Sequence, residues 1–197
     1  MNRIPYTYDG EYILYPLSDE DRDNYVALHR QINGDSTLFL NEAVKDIMWE
    51  GALQVKSTKT YTIYKINGNY CGNVELQKYM SNTPEIGVEL LENKRNQGIA
   101  AKAVKLLVQK FCEERKVEYF LIRIMSNNLH SKHVFEKMGA VLIEEEESIF
   151  VSIMDKFKNH ADEKHNDELL EIVQNCMKED DGIHVLKYKL SPEVFNK

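Results

Sequence analysis

The sequence predicts a mixed α/β fold with about seven strands and four or five helices. Short runs in which apolar and polar residues alternate indicate strands, and longer runs with apolar residues three and four positions apart indicate helices. The chain has 197 residues, 43% of them hydrophobic, with 9 glycines and 4 prolines. This length suits one domain, and the composition excludes disordered and collagen-like chains.

The N-terminal quarter predicts a strand followed by two helices. The strand is Glu11 to Tyr15, and Ser18 with the three acids after it is a helix-start signal. That helix should run to about Gln31 and close at Asn33-Gly34. A second helix, capped by Ser36, is predicted from apolar residues at helical spacing, namely Leu38, Leu40, Val44, Ile47 and Met48.

The next segment predicts a hairpin and a further strand. From Thr58 to Lys65 the sequence alternates with a period of two, Asn67-Gly68 is a strong hairpin turn, and Cys71 to Tyr79 is the returning strand. Glu85 to Leu90 is the next strand, and it ends in the polar stretch Glu92 to Gln97. The middle of the chain is therefore predicted to build neighbouring strands.

Helices and strands alternate after this point. A long helix opens at Gly98 and ends around Lys116, and Val117 to Met125 is a strand apolar enough for the centre of a sheet. A shorter helix covers Ser131 to Met138, with Gly139 as its C-cap, and the next strand begins directly after it.

The C-terminal part predicts an insertion between the last two strands. Ile149 to Met154 extends the preceding strand or begins a helix, Asp167 to Met177 carries a helical apolar stripe, and His184 to Leu190 alternates as the last strand. A connection of roughly 30 residues is longer than usual, and such insertions are often functional. We expect a helical insertion over about residues 150–182.

Charge is distributed unevenly along the chain. The formal net charge is −7, but the segment Glu144 to Asp181 holds thirteen acids and four lysines, a charge of −9, so the remainder is about +2. A nucleic-acid partner is not expected, because such proteins normally present a basic face. The acidic block either attracts a cationic substrate or forms a solvated helix face.

Membrane segments and export signals are not expected. No apolar run approaches the roughly 18 to 20 residues of a membrane helix, and Met1 to Gly10 has no stretch that resembles a signal peptide. We therefore expect no membrane partner and a cytoplasmic location.

No metal site is expected either. Cys71, Cys112 and Cys176 are odd in number and widely spaced, so neither a disulfide framework nor a zinc Cys-x-x-Cys pair is expected. His130 and His133 have a spacing that suits a metal pair, but a third ligand is not evident in the sequence.

Arg95 to Ala100, between a predicted strand and a predicted helix, is the most informative stretch. Successive backbone N–H groups in such a turn, together with the positive end of the helix, form a cradle for a pyrophosphate. Gly98 lets the phosphate approach the backbone, and the small Ala100 lets it approach the helix start. A P-loop is excluded because no Gly-Lys-Ser/Thr follows, and a Rossmann fingerprint because its first glycine is absent.

Two further motifs follow, Asn128-x-x-Ser131 and the run from Phe135 to Gly139-Ala140. With these, the hairpin and the Arg-x-x-Gly-x-Ala signature, the chain resembles the GNAT superfamily of acetyl-CoA-dependent N-acetyltransferases, in particular the RimJ/RimL-like branch. The resemblance covers nearly the whole chain. It implies a single domain over 1–197 with a mostly antiparallel sheet flanked by helices, acetyl-CoA as co-substrate, and a primary amine as acceptor, either a protein N-terminus or a small cationic amine.

The resemblance assigns cofactor-binding roles residue by residue. Val88, Glu89 and Leu90 match the strand whose backbone pairs with the pantetheine arm and the acetyl carbonyl. Asn128 matches a pantetheine contact, and Ser131 matches a hydroxyl near the thiol. The pyrophosphate loop matches Arg95, Asn96, Gln97, Gly98, Ile99, Ala100 and Ala101.

The resemblance does not assign the catalytic groups as fully as the cofactor-binding ones. Phe135 stands where many relatives have a tyrosine as general acid, so Ser131 or a water takes that part, or the thiolate leaves unassisted. The attacking amine must be neutral, and a carboxylate can remove its proton directly or through a water. Glu75 and Glu89 are the candidate bases, and Glu118 is a weaker one. Arg123 occupies the place where one related branch has its basic glutamate, which closes that option.

Several functional alternatives stay open. The acidic insertion either forms a wall of the acceptor pocket that favours a cationic amine, or packs on the sheet edge or a second subunit. Dimers are common in the superfamily, so a homodimer is one expected assembly. Direct transfer in a ternary complex is expected because no cysteine lies near the signature. The alternative is a non-catalytic acyl-CoA binding or sensing protein.

Overall fold

The computed structural model describes residues 3–34, 40–146 and 183–195. Its four α-helices in these ranges are α1 (Arg22–Ile32), α2 (Glu42–Gln54), α3 (Ile99–Glu114) and α4 (Leu129–Lys137). Its strands are β1 (Thr7–Tyr8), β2 (Tyr12–Pro16), β3 (Thr58–Lys65), β4 (Tyr70–Gln77), β5 (Glu85–Leu90), β6 (Phe120–Met125), β7 (Val141–Glu146) and β8 (Val185–Leu190). Short 3₁₀ turns cover Asp19–Asp21, Glu92–Lys94 and Pro192–Phe195.

The strands form one mixed sheet in the order β1-β2-β3-β4-β5-β6-β8-β7. Strands β1 to β5 are antiparallel neighbours, β5 and β6 are parallel, and β7 and β8 are antiparallel. The predicted mixed, mostly antiparallel α/β class is confirmed. The described part of the chain has eight strands instead of the predicted seven, because β1 is only two residues long and too short to show a period.

The chain divides into two compact units, Met1–Ile122 with Leu190–Lys197, and Arg123–Lys189. In the first unit, α3 packs on β2, β4 and β5, and α1 packs on β4 and α2. Strand alternation separates the two faces of this sheet region. One face is apolar and carries Leu14, Tyr61, Ile63, Val74 and Leu76, all at most 3% exposed.

The opposite face of the same strands is polar. The register sets Thr60 opposite Glu75 on β3 and β4, Thr62 opposite Asn73 on the same pair, and Asn73 opposite Glu89 on β5. Side chains that are directly opposite share a face. The polar side chains of three strands therefore meet on the face that α1 covers.

The second unit contains the end of β6, α4, β7 and β8. Phe135 on α4 is 4% exposed, and Leu186 and Tyr188 on β8 are 5% and 1% exposed. The Tyr188 hydroxyl donates to Glu136 Oε1 at 3.0 Å. Burial, followed by this carboxylate, raises the pKa of Tyr188 to about 12.

Two predicted boundaries were wrong. The second helix begins at Glu42, where Asn41 is the N-cap and its side chain accepts from the Ala43 N–H at 2.9 Å, so Leu40 lies before the helix. β6 begins at Phe120, three residues after the predicted Val117, since the residues before it connect α3 to the sheet. The expected cap at Ser36, the segment Ile149 to Met154 and the helix Asp167 to Met177 lie outside the described residues.

The other predicted elements are confirmed. α1 ends at Asn33 and Gly34, the Asn67-Gly68 turn joins β3 to β4, and α4 is followed by Gly139 at φ 95°. In the described residues no helix is long and apolar enough to cross a membrane.

Candidate functional site

The loop between β5 and α3 has the backbone geometry of an anion cradle. Asn96 and Gly98 are both left-handed, with φ of 59° and 74°, and Gly98 is the N-cap of α3. A Cβ built on Gly98 would have no protein atom within 4 Å. The space above Gly98 is therefore open to a ligand, and a side chain there would occupy it.

Bonds within the loop hold this conformation. Arg95 Nε donates to the Leu90 carbonyl at 3.3 Å, and Gln97 Nε2 donates to the Asn93 carbonyl at 2.8 Å. Glu92 N–H donates to Gln31 Oε1 at 2.8 Å, which ties the loop to the end of α1. The side chains of Arg95 and Gln97 are thus used on the loop itself, as is the Arg95 N–H, which donates to the Glu92 carbonyl at 3.1 Å. The N–H groups of Asn96, Gln97 and Gly98 have no acceptor among the described residues.

The start of α3 supplies the remaining donors. The first N–H groups of a helix have no intrahelical acceptor, and they lie at the positive end of the helix dipole. In α3 these groups belong to Ile99, Ala100 and Ala101, while Lys102 N–H already bonds to the Gly98 carbonyl at 3.2 Å. Ile99 is fully buried, whereas Ala100 and Ala101 are partly exposed.

Strand β5 presents an open edge next to this loop. It pairs with β4 throughout, but within the described residues its ladder to β6 has the single pair Glu85↔Leu121. Leu91 N–H donates to the Cys71 carbonyl at 3.0 Å, so alternation along the ladder turns the backbone groups of Val88 and Leu90 away from β4. The same alternation turns the Glu89 backbone toward β4. Val88 and Leu90 therefore form the open edge.

An acidic cluster lies on the polar face of the same strands. We define it as Tyr25 and His29 of α1, Glu75 of β4 and Glu89 of β5. His29 Nε2 is 3.7 Å from Glu89 Oε2, and the His29 ring lies 4.2 Å from the Tyr25 ring, centroid to centroid. Thr60 Oγ1 donates to Glu75 Oε1 at 3.0 Å. The cluster brings the two predicted base candidates, Glu75 and Glu89, to one place.

The acidic cluster is only partly exposed to solvent, and this burial shifts the pKa values of its four side chains. Burial raises the pKa of Glu75, and the neighbouring Glu89 charge raises it further. Burial also raises the pKa of Glu89, although 39% of its side chain is exposed. Burial lowers the pKa of His29 against the opposing effect of Glu75. Burial, then Glu75 and Glu89, raises the pKa of Tyr25 to about 12. A cation at this position would relieve the charge on both carboxylates.

Sequence reasoning missed His29 and Tyr25. They are four positions apart on α1, so they lie on one side of the helix, beside the buried Val26 and Leu28. A titratable histidine on the core-facing side of an amphipathic helix was the available signal. It does not tell which strands the helix covers, and only the folded chain brings His29 to Glu89.

Asn128 and Ser131 lie at the start of α4 in the second unit. Asn128 is the N-cap, and its Oδ1 accepts from the Ser131 N–H at 3.0 Å. Ser131 thus occupies the first turn of the helix, with its hydroxyl bonded to no described residue. Phe135, one turn further, is buried and carries no proton to donate.

The weaker candidates lie elsewhere. Glu118 is exposed before β6, and His130 and His133 are exposed on α4. Within residues 3–34, 40–146 and 183–195, no three His, Cys, Asp or Glu side chains are arranged to hold a metal ion.

Comparison with known proteins agrees with this geometry. The family model described as acetyltransferase (GNAT) domain matches residues 12–141. The spermidine N-acetyltransferase of Vibrio cholerae with CoA and spermine is similar in structure at TM-score 0.68 and 11% identity, covering 96% of this chain and all of that one. The spermidine/spermine N-acetyltransferase of the same organism with manganese ions is similar at TM-score 0.64 and 12% identity, covering 94% and 95%.

At these identities the structural similarity shows the fold alone. A search of curated protein sequences finds no significant match. The family match covers well over half of the chain and includes both the anion cradle and the strands of the acidic cluster. The chain therefore belongs to the GNAT acetyltransferase family.

Proposed function

We propose that the protein is an acetyl-CoA-dependent N-acetyltransferase that transfers the acetyl group directly to a primary amine. The observation that carries this proposal is the acidic cluster, in which two carboxylates of raised pKa lie on β4 and β5. The strand that contributes Glu89 is joined to the anion cradle by the short 3₁₀ turn Glu92–Lys94. The proposed amine site and the proposed phosphate site thus belong to consecutive segments of the chain, and transfer from a CoA thioester to an amine requires one site for each.

The chain offers the groups that would hold acetyl-CoA. The backbone N–H groups between Asn96 and Ala101 would bind the pyrophosphate, and the open edge at Val88 and Leu90 would pair with the pantetheine arm. Asn128 and Ser131 are proposed as further contacts, with Ser131 near the thiol. Acetyl-CoA supplies the activated acetyl thioester when bound. The residues of the chain bind and orient it and remove protons from the acceptor.

The acceptor is proposed to be a small cationic amine. Glu75 and Glu89 attract an ammonium and are the candidate bases for its deprotonation. The spermidine N-acetyltransferases of similar fold act on amines of this chemistry by name, which supports a polyamine-like acceptor. Membership of the RimJ/RimL-like branch would favour a protein N-terminus instead, and both acceptors carry a primary ammonium. We propose one GNAT domain over residues 1–197.

Direct transfer is favoured by the state of the two cysteines that the structure describes. Cys71 follows directly after the start of β4, but it is fully buried, and burial raises the pKa of its thiol. A buried thiol of raised pKa is a poor nucleophile. Cys112 is half-buried and its pKa is raised for the same reason. Neither is suited to carry a covalent acetyl group.

A second function is supported by Phe135. If neither Ser131 nor a water protonates the leaving thiolate and the thiolate does not leave unassisted, the protein would bind an acyl-CoA and release it unchanged. Such a binding or sensing protein would use the same cradle and the same strand edge. Turnover, measured after binding, separates the two proposals.

The test compares two glycine substitutions. Gly98 and Gly68 both have positive φ, 74° and 86°, and both have open space where a Cβ would stand. Gly98→Val and Gly68→Val should each lose about 1–2 kcal/mol of stability from left-handed strain. Only Gly98→Val places a side chain in the cradle. Calorimetric titration with acetyl-CoA should show one-to-one binding in the wild type and in Gly68→Val, and a loss of about 100-fold or more in Gly98→Val.

The outcomes separate the proposals. Binding that Gly98→Val retains would overturn the assignment of the loop. No binding at millimolar acetyl-CoA would overturn both functions. Binding without acetylation of spermidine or of basic peptides would support the sensing protein, and acetylation of either would support the transferase.

A further inference from the structure

His29 is the member of the acidic cluster whose hydrogen-bonding capacity is unused. Its Nε2 atom is buried and has no hydrogen-bond partner among the described residues. The Glu89 Oε2 atom at 3.7 Å is too distant for a direct hydrogen bond. The imidazole is nevertheless held firmly, because its ring packs on Tyr25 and Tyr25 packs edge-on against Trp49 of α2 at 5.6 Å. Nε2 is thus an enclosed imidazole nitrogen with unused hydrogen-bonding capacity, and the Glu89 carboxylate lies beside it.

The groups around His29 are mostly acidic. Glu75 of β4 and Glu89 of β5 face it from the sheet, and the hydroxyls of Tyr25 on α1 and Tyr70 on β4 belong to the same set of interacting groups. The α2 side contributes Trp49, which does not titrate. Burial keeps the imidazole neutral near pH 7, because it lowers the pKa of His29 below its usual 6.5. His29 is therefore a neutral base that two carboxylates adjoin.

N-acetylation requires the acceptor nitrogen to lose two protons. An ammonium and an acetyl thioester give an amide, a thiol and one proton, as the N–C bond forms and the C–S bond breaks. One proton must leave before attack, when the nitrogen lone pair is freed, and the second leaves with attack. One of the two ends on the thiol sulfur and the other in solvent. A single carboxylate would have to release its first proton before taking the second, whereas a cluster with a second base has no such delay.

We propose that His29 is a catalytic residue that accepts the first proton from the acceptor's ammonium, with Glu75 and Glu89 stabilising the imidazolium that forms. This inference rests on the transferase function proposed above. The ammonium would bind at the Glu89 carboxylate, which is 39% exposed, and a movement of the Glu89 side chain would bring the ammonium within hydrogen-bond reach of His29 Nε2. A general base is most effective when its pKa lies near the working pH, and the ordinary imidazole pKa of 6.5 is nearer to 7 than the ordinary carboxyl pKa of 4.5, although burial lowers the pKa of His29 and raises those of the two carboxyls.

The structure offers a matched control. His184, at the start of β8, also lies beside a carboxylate, with its Nε2 atom 3.6 Å from Glu145 Oε2. His29→Gln and His184→Gln each remove one imidazole near one glutamate. Steady-state rates with acetyl-CoA and either spermidine or a basic tetrapeptide should fall about 100-fold in kcat for His29→Gln and stay at the wild-type level for His184→Gln. The KM for acetyl-CoA should be unchanged in both, and the acidic limb of the pH profile should move only in His29→Gln.

A second measurement does not depend on turnover. Imidazole NMR signals of the full chain can be titrated, with the His29 signal assigned through its loss in His29→Gln. In the double variant Glu75→Gln/Glu89→Gln the pKa of His29 should fall further, because the carboxylates that favour the imidazolium are gone. The His184 signal should not move.

Each result has a distinct meaning. An active wild type with unchanged kcat and pH profile in His29→Gln would overturn the role of His29 and leave the transferase standing. A wild type that acetylates neither acceptor would overturn the transferase and with it this role. A His29 pKa that the double variant does not change would overturn the coupling to the carboxylates.

Discussion

Two polar clusters lie on the face of the first unit's strands that α1 covers. They differ in how many of their polar atoms have hydrogen-bond partners. In the first, which we call the Asp21 network, the fully buried Asp21 carboxylate accepts from both Arg3 Nη atoms at 2.8 and 2.7 Å, and from the Tyr64 hydroxyl at 3.0 Å. It also accepts from the Ser18 N–H at 3.0 Å and the Ser18 hydroxyl at 3.3 Å. In the acidic cluster, the Glu89 carboxylate accepts no hydrogen bond from the described residues, and His29 Nε2 is unpaired.

The difference separates stability from function. A buried charge whose acceptor sites are all filled fixes the chain around it, here the N-terminal residues, the start of α1 and β3. A cluster with unpaired groups and raised carboxylate pKa values costs stability, and native proteins retain such groups where a ligand completes them. The Asp21 network is therefore part of the scaffold, and the acidic cluster is the part prepared for a substrate.

The largest expected loss of stability follows a substitution of Arg3. Arg3→Gln removes the cation from the Asp21 network and leaves the carboxylate buried with an uncompensated charge. We expect the free energy of unfolding to fall by about 3 kcal/mol. Urea-induced unfolding, followed by circular dichroism, measures this loss.

A second arginine provides the control. Arg22 forms three ion pairs, with Asp23, Glu42 and Asp46, but these carboxylates are 58% to 96% exposed. Arg22→Gln should cost less than about 1 kcal/mol, because solvent screens exposed pairs. Equal losses in the two variants would contradict the view that burial makes the Asp21 network the stronger one.

At Glu75 we expect a substitution to raise the free energy of unfolding instead of lowering it. The folded-state pKa of Glu75 is raised, so its contribution to stability is present at low pH and is lost as the pH rises through that pKa. Glu75→Gln keeps an acceptor for Thr60 and removes the charge. It should raise the free energy of unfolding by about 1 kcal/mol at pH 8 and lower the rate of acetylation.

The gain at Glu75 should also disappear with pH. Below about pH 4.5 the wild-type carboxyl is protonated in both states, so the variant has nothing left to relieve. Glu113→Gln, at an exposed carboxylate paired with Lys110, is the control and should not stabilise the protein. A loss of stability in Glu75→Gln at pH 8 would mean that the Glu75 carboxylate stabilises the fold, as the Asp21 carboxylate does.

Much of the fold could be predicted because local signals agree with it. Asn67-Gly68 fixes the hairpin, Gly98 marks the turn into α3, and strand periodicity alone places Glu75 on one face of β4. The alignment of β4 with β5, which brings Glu89 to Glu75, is also local, because a short connection joins the two strands.

The rest depends on long-range packing. Arg3 and Asp21 are 18 positions apart, and nothing in the spacing indicates their contact. His29 and Glu89 meet only because α1 crosses the sheet at one particular place, which is decided by side-chain packing around Tyr25 and Trp49. The residues that sequence reasoning missed are thus those whose partners come from distant elements.

The smallest expected effect is the pH dependence that His29 imposes on stability. Its folded-state pKa is lowered, so the unfolded chain binds the proton more tightly. The contribution of His29 is then complete above its ordinary pKa of 6.5 and is lost as the pH falls below it. Glu75 and Glu89 act in the opposite direction, since the folded state binds their protons more tightly. In the wild type the two effects partly cancel between pH 6.5 and 4.5.

His29→Gln removes one side of this balance. The variant should gain stability relative to the wild type as the pH is lowered from 6.5 toward 5, and the two should differ by a constant amount above pH 7. Chemical denaturation at closely spaced pH values measures the difference, with His184→Gln as the reference. A constant difference over the whole range would mean that His29 titrates as it does in the unfolded chain. The acidic cluster would then not perturb its histidine, and the contrast with the Asp21 network would reduce to the number of hydrogen bonds alone.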